Sequence, residues 1–168
     1  MDTLAAIYAI IHSMTGTPYI PGGNSPAGTD CSGLASNVAN VASGRDAFSG
    51  RFTTANEASA LSSRGFIPGT APDSVVIGRN SGHNAVTLPD GTAVASGAGG
   101  GVRIGGGGAH QAQFTNHMHL PLRETQTAAR IAPAPQVIPP ANDSMSLTVE
   151  VAPPSRWLLP PRCSQYRM

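Results

Sequence analysis

The first third of the chain carries apolar residues at helical spacing. Over residues 2–14 they recur at the i, i+3, i+4, i+7 positions of one face, which predicts an amphipathic helix capped by Asp2 or Thr3. A stretch rich in Gly, Pro, Asn and Ser follows over residues 16–30. This stretch is long for a plain connection, and loops of this kind tend to carry function.

Two more helices are predicted after this loop. One spans residues 31–44, with an apolar stripe on one face and an N-cap from Thr29 or Asp30. The other runs over about 54–64 and begins with Thr-Ala-Asn-Glu, the pattern of a capping box in which the threonine is the cap. Gly65 is the expected stop signal of this third helix.

The middle of the chain changes to short strands separated by turn signals. Pro-Asp-Gly at residues 89–91 is a hairpin signal. The glycine-rich residues 97–108 are interpreted as a flexible loop beside a cleft, because they lack the strand and capped helix of a dinucleotide-binding fingerprint. Helices followed by an antiparallel sheet predict an α+β fold. The predicted strands are Phe66-Ile67, Ser74–Ile77, Asn84–Leu88, Thr92–Ser96 and His117–Leu122.

Residues 124–168 differ from the rest in composition. They are rich in proline and lack sustained periodicity, which predicts a mostly disordered tail after a folded domain over residues 1–123. The tail is interpreted as a solvated linker or as a polyproline II segment that docks on a partner. Within it Leu147–Val151 is a strand candidate and Trp157 a small apolar anchor. Cys163 is interpreted as independent of the other cysteine.

Charge and composition narrow the classes of partner. A net charge of +1 gives no electrostatic reason to expect nucleic acid or an anionic membrane surface. No run approaches the roughly 20 continuous apolar residues of a membrane span. The first residues lack the cationic segment that is typical of a secretory signal. Two cysteines are too few for a disulfide framework or a four-cysteine zinc site.

Cys31 is the candidate nucleophile. A helix N-terminus and a nearby imidazolium stabilise a thiolate and bring the pKa of a cysteine to about 3.5–7.5. Cys31 begins the second predicted helix, so the first of these conditions is expected there. Its partner must be a histidine that the fold brings close. The alternative is a buried helix cysteine without chemistry.

Five histidines compete for the role of partner. His83 precedes an alternating strand, and a histidine held on a strand is fixed in position, as a general base requires. His12 lies next to core positions on the first helix, where a structural role is favoured. His117 and His119 alternate with apolar residues, as on a solvent-facing edge strand, and lack a third ligand for a metal site. His110 follows the glycine run, and the pattern does not place it.

Two segments resemble the signatures of a known family. Residues 16–34 read Gly-Thr-Pro-Tyr-Ile-Pro-Gly-Gly-Asn-Ser-Pro-Ala-Gly-Thr-Asp-Cys-Ser-Gly-Leu. This segment resembles the signature of NlpC-type papain-like cysteine peptidases, the bacterial and phage cell-wall endopeptidases in which Pro-Tyr-x-x-Gly-Gly precedes Asp-Cys-Ser-Gly. Residues 82–91, Gly-His-Asn-Ala-Val-Thr-Leu-Pro-Asp-Gly, resemble the second signature, a Gly-His that opens a strand followed by a hairpin. Together the resemblance covers residues 4–122.

This resemblance implies a papain-like fold and a role for each matching residue. Cys31 is the nucleophile and His83 the general base. Tyr19, Asp30 and Ser32 match positions that line the substrate groove, and Tyr19 also helps to hold the oxyanion. The implied substrate is the stem peptide of peptidoglycan, cut most often between D-glutamate and the diamino acid. Members of the family need no metal or organic cofactor.

The residue that would orient the histidine departs from the family pattern. It normally comes about twelve positions after the histidine, where this chain has Ala95, which has no hydrogen-bonding side chain. A two-residue Asp-Gly turn would place residue 96 opposite residue 85, and Ser96 would then share a face with His83. We therefore expect Ser96 to be the third catalytic residue, with His110 as the alternative.

Two classes of function follow from these observations. The first is a cysteine endopeptidase that hydrolyses peptidoglycan stem peptides. The second is a catalytically weak or inactive wall-binding or phage-tail module of the same fold, motivated by Ala95 and by Pro21, which stands where members usually have an aromatic residue. An amidase or acyltransferase would keep the thiol chemistry, and pocket shape decides that choice. Delivery to the cell wall is expected as a phage or virion component, or as part of a larger secreted protein.

Overall fold

The structure, a computed structural model of the chain, describes residues 2–122. The predicted tail of residues 124–168, with its strand candidate, its tryptophan anchor and Cys163, lies outside the described residues. The helices are α1 (Thr3–Met14), α2 (Cys31–Ala42) and α3 (Glu57–Ser62), with a short 3-10 helix over Gly108–His110.

The first two helices form as the sequence predicts. The carboxylate of Asp2 accepts a hydrogen bond from the backbone N–H of Leu4 and caps α1. Asp30 rather than Thr29 is the N-cap of α2, because its carboxylate accepts from the backbone N–H of Gly33 at 2.8 Å. This bond satisfies one of the N–H groups that every helix start leaves without an intrahelical partner.

The third helix begins later than predicted. Its N-cap is Asn56, which makes no side-chain cap hydrogen bond, so the predicted capping box is wrong. Asn56 instead accepts from the backbone N–H of Thr53 at 2.7 Å and closes a turn ahead of the helix. Glu57, the predicted partner in the box, is fully buried and bonds to Asn84 in the sheet. The Glu57 carboxyl therefore bonds to the sheet and does not cap the helix.

Within residues 2–122 eight strands form two antiparallel sheets, which confirms the predicted α+β class. The first two make a small hairpin in the loop before α2, and the other six form one sheet in the order β3-β8-β4-β5-β6-β7. The strands are β1 (Asn24–Ser25), β2 (Gly28–Thr29), β3 (Ile67–Pro68), β4 (Ser74–Arg79), β5 (Asn84–Thr87), β6 (Ala93–Gly97), β7 (Gly101–Ile104) and β8 (Asn116–Pro121).

Two expectations about strands are wrong. The glycine-rich segment is not all loop, since β7 runs through it and pairs with β6, with Val102 fully buried. A single apolar side chain that enters the core was enough to make a strand there. In addition, β8 is not an edge strand but lies between β3 and β4. His119 is therefore buried, whereas His117 is half-buried.

The core lies between α2 and one face of the large sheet. Helix α2 packs against α1 on one side and against β5 and β6 on the other. Because ten of its residues, from Cys31 to Asn40, are buried, α2 is a central helix. The buried apolar cluster includes Ile7, Ile11, Leu34, Val38, Phe52, Leu61, Val75, Ile77, Val86, Val94, Val102 and Met118. This packing fixes the N-terminus of α2 against the start of β5.

Candidate active site

Cys31 is the first residue of α2 and carries a buried free thiol. Burial raises the pKa of this thiol, and the neighbouring carboxylate of Asp30 raises it further. Backbone N–H groups act in the opposite direction: those of Asn84, Ser32 and Cys31 itself favour the thiolate and lower the pKa. The net result is a raised pKa, so the lowering expected at a helix N-terminus does not prevail in the resting protein.

Tyr19 lies beside the thiol. Its segment is held by a bridge to Thr29 in β2, where the backbone N–H of Ile20 donates to the Thr29 carbonyl at 3.3 Å. Burial raises the pKa of the Tyr19 hydroxyl, and the neighbouring Cys31 and Asp30 raise it further. The hydroxyl therefore keeps its proton at neutral pH and remains a hydrogen-bond donor next to Cys31.

His83 is placed by a turn that precedes β5. The side-chain oxygen of Asn80 accepts from the backbone N–H groups of Gly82 at 2.9 Å and His83 at 2.8 Å. The His83 ring packs against Phe114, with 5.9 Å between the ring centroids. Burial lowers the pKa of His83 because it disfavours the imidazolium.

The backbone joins His83 to the thiol through the next residue, Asn84. The backbone N–H of Asn84 is near enough to the Cys31 sulfur to favour the thiolate. The structure thus brings Cys31, Tyr19 and the His83–Asn84 segment to one place. With the cysteine pKa raised and the histidine pKa lowered, the pair rests at neutral pH as a thiol and a neutral imidazole.

Asp30 is the centre of a polar cluster next to Cys31. Its carboxylate accepts from the backbone N–H of Gly22 at 2.7 Å and from the Ser32 hydroxyl at 3.0 Å, and it forms an ion pair with Arg51. Burial alone would raise the pKa of Asp30. The hydrogen bonds from Gly33, Gly22, Arg51 and Ser32 outweigh burial and hold the pKa below its usual value.

No family model matches the sequence, and no curated protein matches it. The structure is similar to the crystal structure of the NlpC/p60 domain of peptidoglycan hydrolase SagA, with a TM-score of 0.46 and 24% sequence identity. The match covers 71% of this chain and 100% of that chain. The fold is similar to that of an NlpC/p60 domain.

The prediction that Ser96 orients His83 depends on a two-residue turn, and the strand register that follows from that turn is wrong. The β5–β6 turn has three residues, 89–91, closed by a bond from the Leu88 N–H to the Thr92 carbonyl at 2.9 Å. Gly91, with φ +86°, takes the left-handed position that this turn requires. The extra residue shifts the pairing by one position, so that Val86 lies opposite Val94.

This register turns Ser96 away from the face of residue 83. Continued along the strands, it places Ser96 opposite Asn84 and Ala95 opposite residue 85. Ser96 is fully buried, and its hydroxyl donates to the Thr29 carbonyl at 2.8 Å. The alternative, His110, is exposed in the 3-10 helix and stacks on His117 at 6.2 Å. The structure therefore does not bring either residue to the His83 ring.

A glycine-lined cleft of about 380 Å³ lies beside Ala95. Arg103, directly opposite Ala95 in the sheet, and Gln111 are the polar side chains that line it. Sequence reasoning expected a cleft at the glycine run, and the cleft is there. Strand β7 forms one of its walls.

Four polar residues near the site were not predicted from the sequence. Arg51 pairs with Asp30, and Glu57, Arg79 and Asn84 gather beneath the start of β5. Nothing in the local pattern marks Arg51. The sequence pattern did mark Glu57, but as part of a capping box and not as a buried residue near the site.

Two further observations concern residues 2–122. No helix in this part of the chain is long and apolar enough to cross a membrane. In the same residues no cluster of three or more His, Cys, Asp or Glu side chains has the arrangement of a metal site.

Proposed function

We propose that the protein is a peptidoglycan hydrolase, a cysteine endopeptidase that cleaves stem peptides through an acyl-enzyme on Cys31. One observation carries the proposal. The Asp-Cys-Ser-Gly motif forms the start of a buried helix, and the Tyr19 hydroxyl and the backbone of Asn84, the residue after His83, are both close enough to Cys31 to interact with its thiol. The bond we expect to be cut joins D-glutamate to the diamino acid of the stem.

In this mechanism His83 acts as a general base on a neutral thiol. It takes the proton from Cys31 as the sulfur attacks the carbonyl carbon of the scissile amide. The tetrahedral intermediate expels the amine, which receives that proton from His83, and a thioester remains. Water then attacks the thioester while His83 accepts its proton, and the released thiolate regains a proton from the imidazolium. A resting neutral pair is the protonation state that this sequence of steps requires.

The developing oxyanion needs donors in place before the reaction. The backbone N–H of Cys31 and the hydroxyl of Tyr19 are our candidates, because the hydroxyl keeps its proton at neutral pH. Asp30 and Ser32 form the neighbouring groove wall in this proposal. Arg51 bonds to both of their side chains, with 3.1 Å to the Ser32 oxygen, and so fixes that wall from behind.

Digestion of purified diaminopimelate-type peptidoglycan tests the proposal. The wild-type protein should release fragments broken after D-glutamate, identified by mass spectrometry. Cys31→Ala and His83→Ala should each release none while their thermal unfolding stays close to that of the wild type. Release of the same fragments by either variant would exclude the proposed mechanism.

A second candidate function is supported by the position of Ser96. Because its hydroxyl is bound to Thr29, and Ala95 offers no polar group, His83 has no orienting partner on β6. An imidazole that is not held in the correct orientation accepts a proton inefficiently during catalysis. The protein would then be a wall-binding module of the same fold. Sedimentation with insoluble peptidoglycan, without any product from the wild type or from Cys31→Ala, would favour this alternative.

A further inference from the structure

Unpartnered polar atoms gather beneath the active site, where α3 meets strands β4 and β5. They are Oε1 of Glu57, Oδ1 of Asn84 and Nε of Arg79, all buried without a hydrogen-bond partner. Glu57 and Asn84 are both fully buried. An unsatisfied buried polar atom destabilises a folded protein, so three together need an explanation.

The geometry of Glu57 and Asn84 explains two of these atoms. The Asn84 Nδ2 donates to Glu57 Oε2 at 2.9 Å, which sets the amide and the carboxyl side by side. A carboxylate only accepts hydrogen bonds, so an ionised Glu57 would leave its Oε1 and Asn84 Oδ1 as two acceptors without a donor. A protonated Glu57 would carry an O–H donor for Asn84 Oδ1. The two bonds would then close an acid–amide ring that satisfies both atoms.

Arg79 does not supply the missing bonds. It pairs with Asn84 across β4 and β5, and it is the cation that acts on Glu57. Among residues 2–122 the only ion pair joins Arg51 to Asp30, and Arg79 donates from NH1 to the Thr54 carbonyl at 3.3 Å. The groups that face the Glu57 carboxyl are therefore the Asn84 amide from β5 and, at longer range, the Arg79 guanidinium from β4.

Asn84 connects this pair to the nucleophile. It follows His83 directly, and its backbone N–H is near enough to the Cys31 sulfur to favour the thiolate. We propose that Glu57 is a positioning residue whose neutral carboxylic acid forms a reciprocal pair with the Asn84 side chain and so holds the Asn84 N–H on the Cys31 thiol. The consequence for peptide cleavage rests on the proposed function, whereas the effect on the thiol does not.

Burial supports the neutral form of Glu57. It raises the pKa of the carboxyl to about 7, against the lowering effects of Asn84 and Arg79. As the pH rises through this value the acid loses the proton that it donates to Asn84 Oδ1, and a buried negative charge appears behind the start of β5. Both changes disfavour the thiolate of Cys31. The reactivity of the thiol should therefore rise less steeply above pH 7 than that of a cysteine without this neighbour.

The protonation state can be measured directly by carbon-13 NMR of the side-chain carboxyls. The chain has three glutamates, Glu57, Glu124 and Glu150, so labelling of glutamate gives three signals, and Glu57→Gln identifies one of them. We expect the Glu57 signal to titrate near pH 7 and apart from the other two. Titration of Glu57 near its ordinary value of about 4.3 would overturn the proposal.

Positioning of the thiol is measured by the rate of alkylation with iodoacetamide between pH 6 and 9. All proteins carry Cys163→Ser, so that a single thiol reacts. Glu57→Gln keeps both bonds to Asn84 and never ionises. Its rate should match that of the parent at pH 6 and exceed it at pH 8.5 by about threefold, the effect of a thiol pKa lower by about half a unit. A ratio that stays constant across the pH range would overturn the proposal.

A second variant at this position separates positioning from charge. Glu57→Leu removes both bonds to Asn84 and should slow alkylation at every pH, in contrast to Glu57→Gln. Equal rates for the two variants at pH 6 would show that the pair does not position the thiol. If Glu57→Leu does not fold, the glutamine variant and the NMR titration still decide the question. Neither measurement uses peptidoglycan, so their failure is distinguishable from failure of the peptidase proposal.

Discussion

Arg51 forms an ion pair with Asp30, the residue that caps the helix beginning at Cys31. The same guanidinium bonds to the Ser32 hydroxyl at 3.1 Å and, through its Nε, to the Gly23 carbonyl at 3.3 Å. One side chain thus joins the loop before α2 to the first turn of that helix. The position of the nucleophile depends on a residue far from it in the chain.

Replacing this arginine by an apolar residue of similar length should destabilise the protein. In Arg51→Met the Asp30 carboxylate loses its cation while remaining largely buried. We expect the free energy of unfolding at pH 7 to fall by about 2 kcal/mol, as measured by urea denaturation. Arg45→Met, at an exposed arginine, is the control and should change stability by less than about 0.5 kcal/mol. Equal losses in both variants would contradict the role of the ion pair.

The same pair has a consequence at acid pH. The folded protein holds the pKa of Asp30 below its ordinary value. The stabilisation is therefore present above the unfolded pKa and is lost as the pH falls through the folded pKa. The difference in stability between the wild type and Arg51→Met should shrink below about pH 4, where the unfolded chain takes up its proton. A difference that does not change with pH would show that the charge of Asp30 is not involved.

Under the proposed mechanism, the neutral resting state of Cys31 and His83 predicts the pH dependence of peptide cleavage. His83 works as a base only when it is unprotonated, and burial lowers its pKa. The acid limb of kcat/KM should therefore lie below the ordinary histidine value of about 6.5. Thiolate absorbance at 240 nm, compared between the Cys163→Ser protein and the same protein with Cys31→Ala, should be absent at pH 7. A thiolate signal there would indicate a preformed ion pair.

Glu57 should make stability depend on pH in the opposite direction to Asp30. Its pKa is raised in the folded state, so the folded protein binds a proton that the unfolded chain releases. The stabilisation is complete below the unfolded value of about 4.3 and is lost as the pH rises to about 7, in all about 4 kcal/mol. The difference in unfolding free energy between the wild type and Glu57→Gln should fall over this range. Asp46→Asn, at an exposed carboxylate, should show no such trend.

We expect Ser96 to contribute to the stability of the protein and not to the function of His83 as a general base. Its buried hydroxyl bonds to the Thr29 carbonyl and ties β6 to the residue before the α2 cap. We expect Ser96→Ala to cost about 1 kcal/mol in chemical denaturation. The acid limb of the cleavage profile should stay where it is, because the hydroxyl does not serve His83. A shift of that limb would restore Ser96 as the orienting residue.

A polar side chain at position 95 should increase the rate of cleavage. The register places it, rather than Ser96, opposite residue 85, and it is half-buried beside the cleft. Ala95→Asn adds a hydrogen-bonding side chain on the face of residue 83, so kcat should rise severalfold with little change in KM. Ala95→Val, which adds bulk without a polar group, is the matched control and should not raise kcat.

Much of the fold follows from local patterns. The spacing of apolar residues is enough for α1 and α2, since one face of each helix must be buried. The capping carboxylates of Asp2 and Asp30 were also readable, because a helix start leaves N–H groups without partners. The motif around Cys31 likewise indicated which residue begins the central helix. These features depend on neighbours within a few positions along the chain.

Other features depended on contacts between distant residues. One residue more in a turn, three instead of two, moved Ser96 to the other face of β6, and a strand pattern alone does not set that count. The raised pKa of the Cys31 thiol results from its burial. The effect of burial is larger than the lowering by the backbone N–H groups at the start of α2.

The sequence by itself determined the helix on which Cys31 lies and the α+β order of the elements, because periodicity and caps are local. Only the tertiary structure decided what surrounds the thiol. The ion pair of Asp30 with Arg51 and the burial of Glu57 against Asn84 join residues more than 20 positions apart. Desolvation and charge at such contacts depend on distances in space, which no spacing along the chain records.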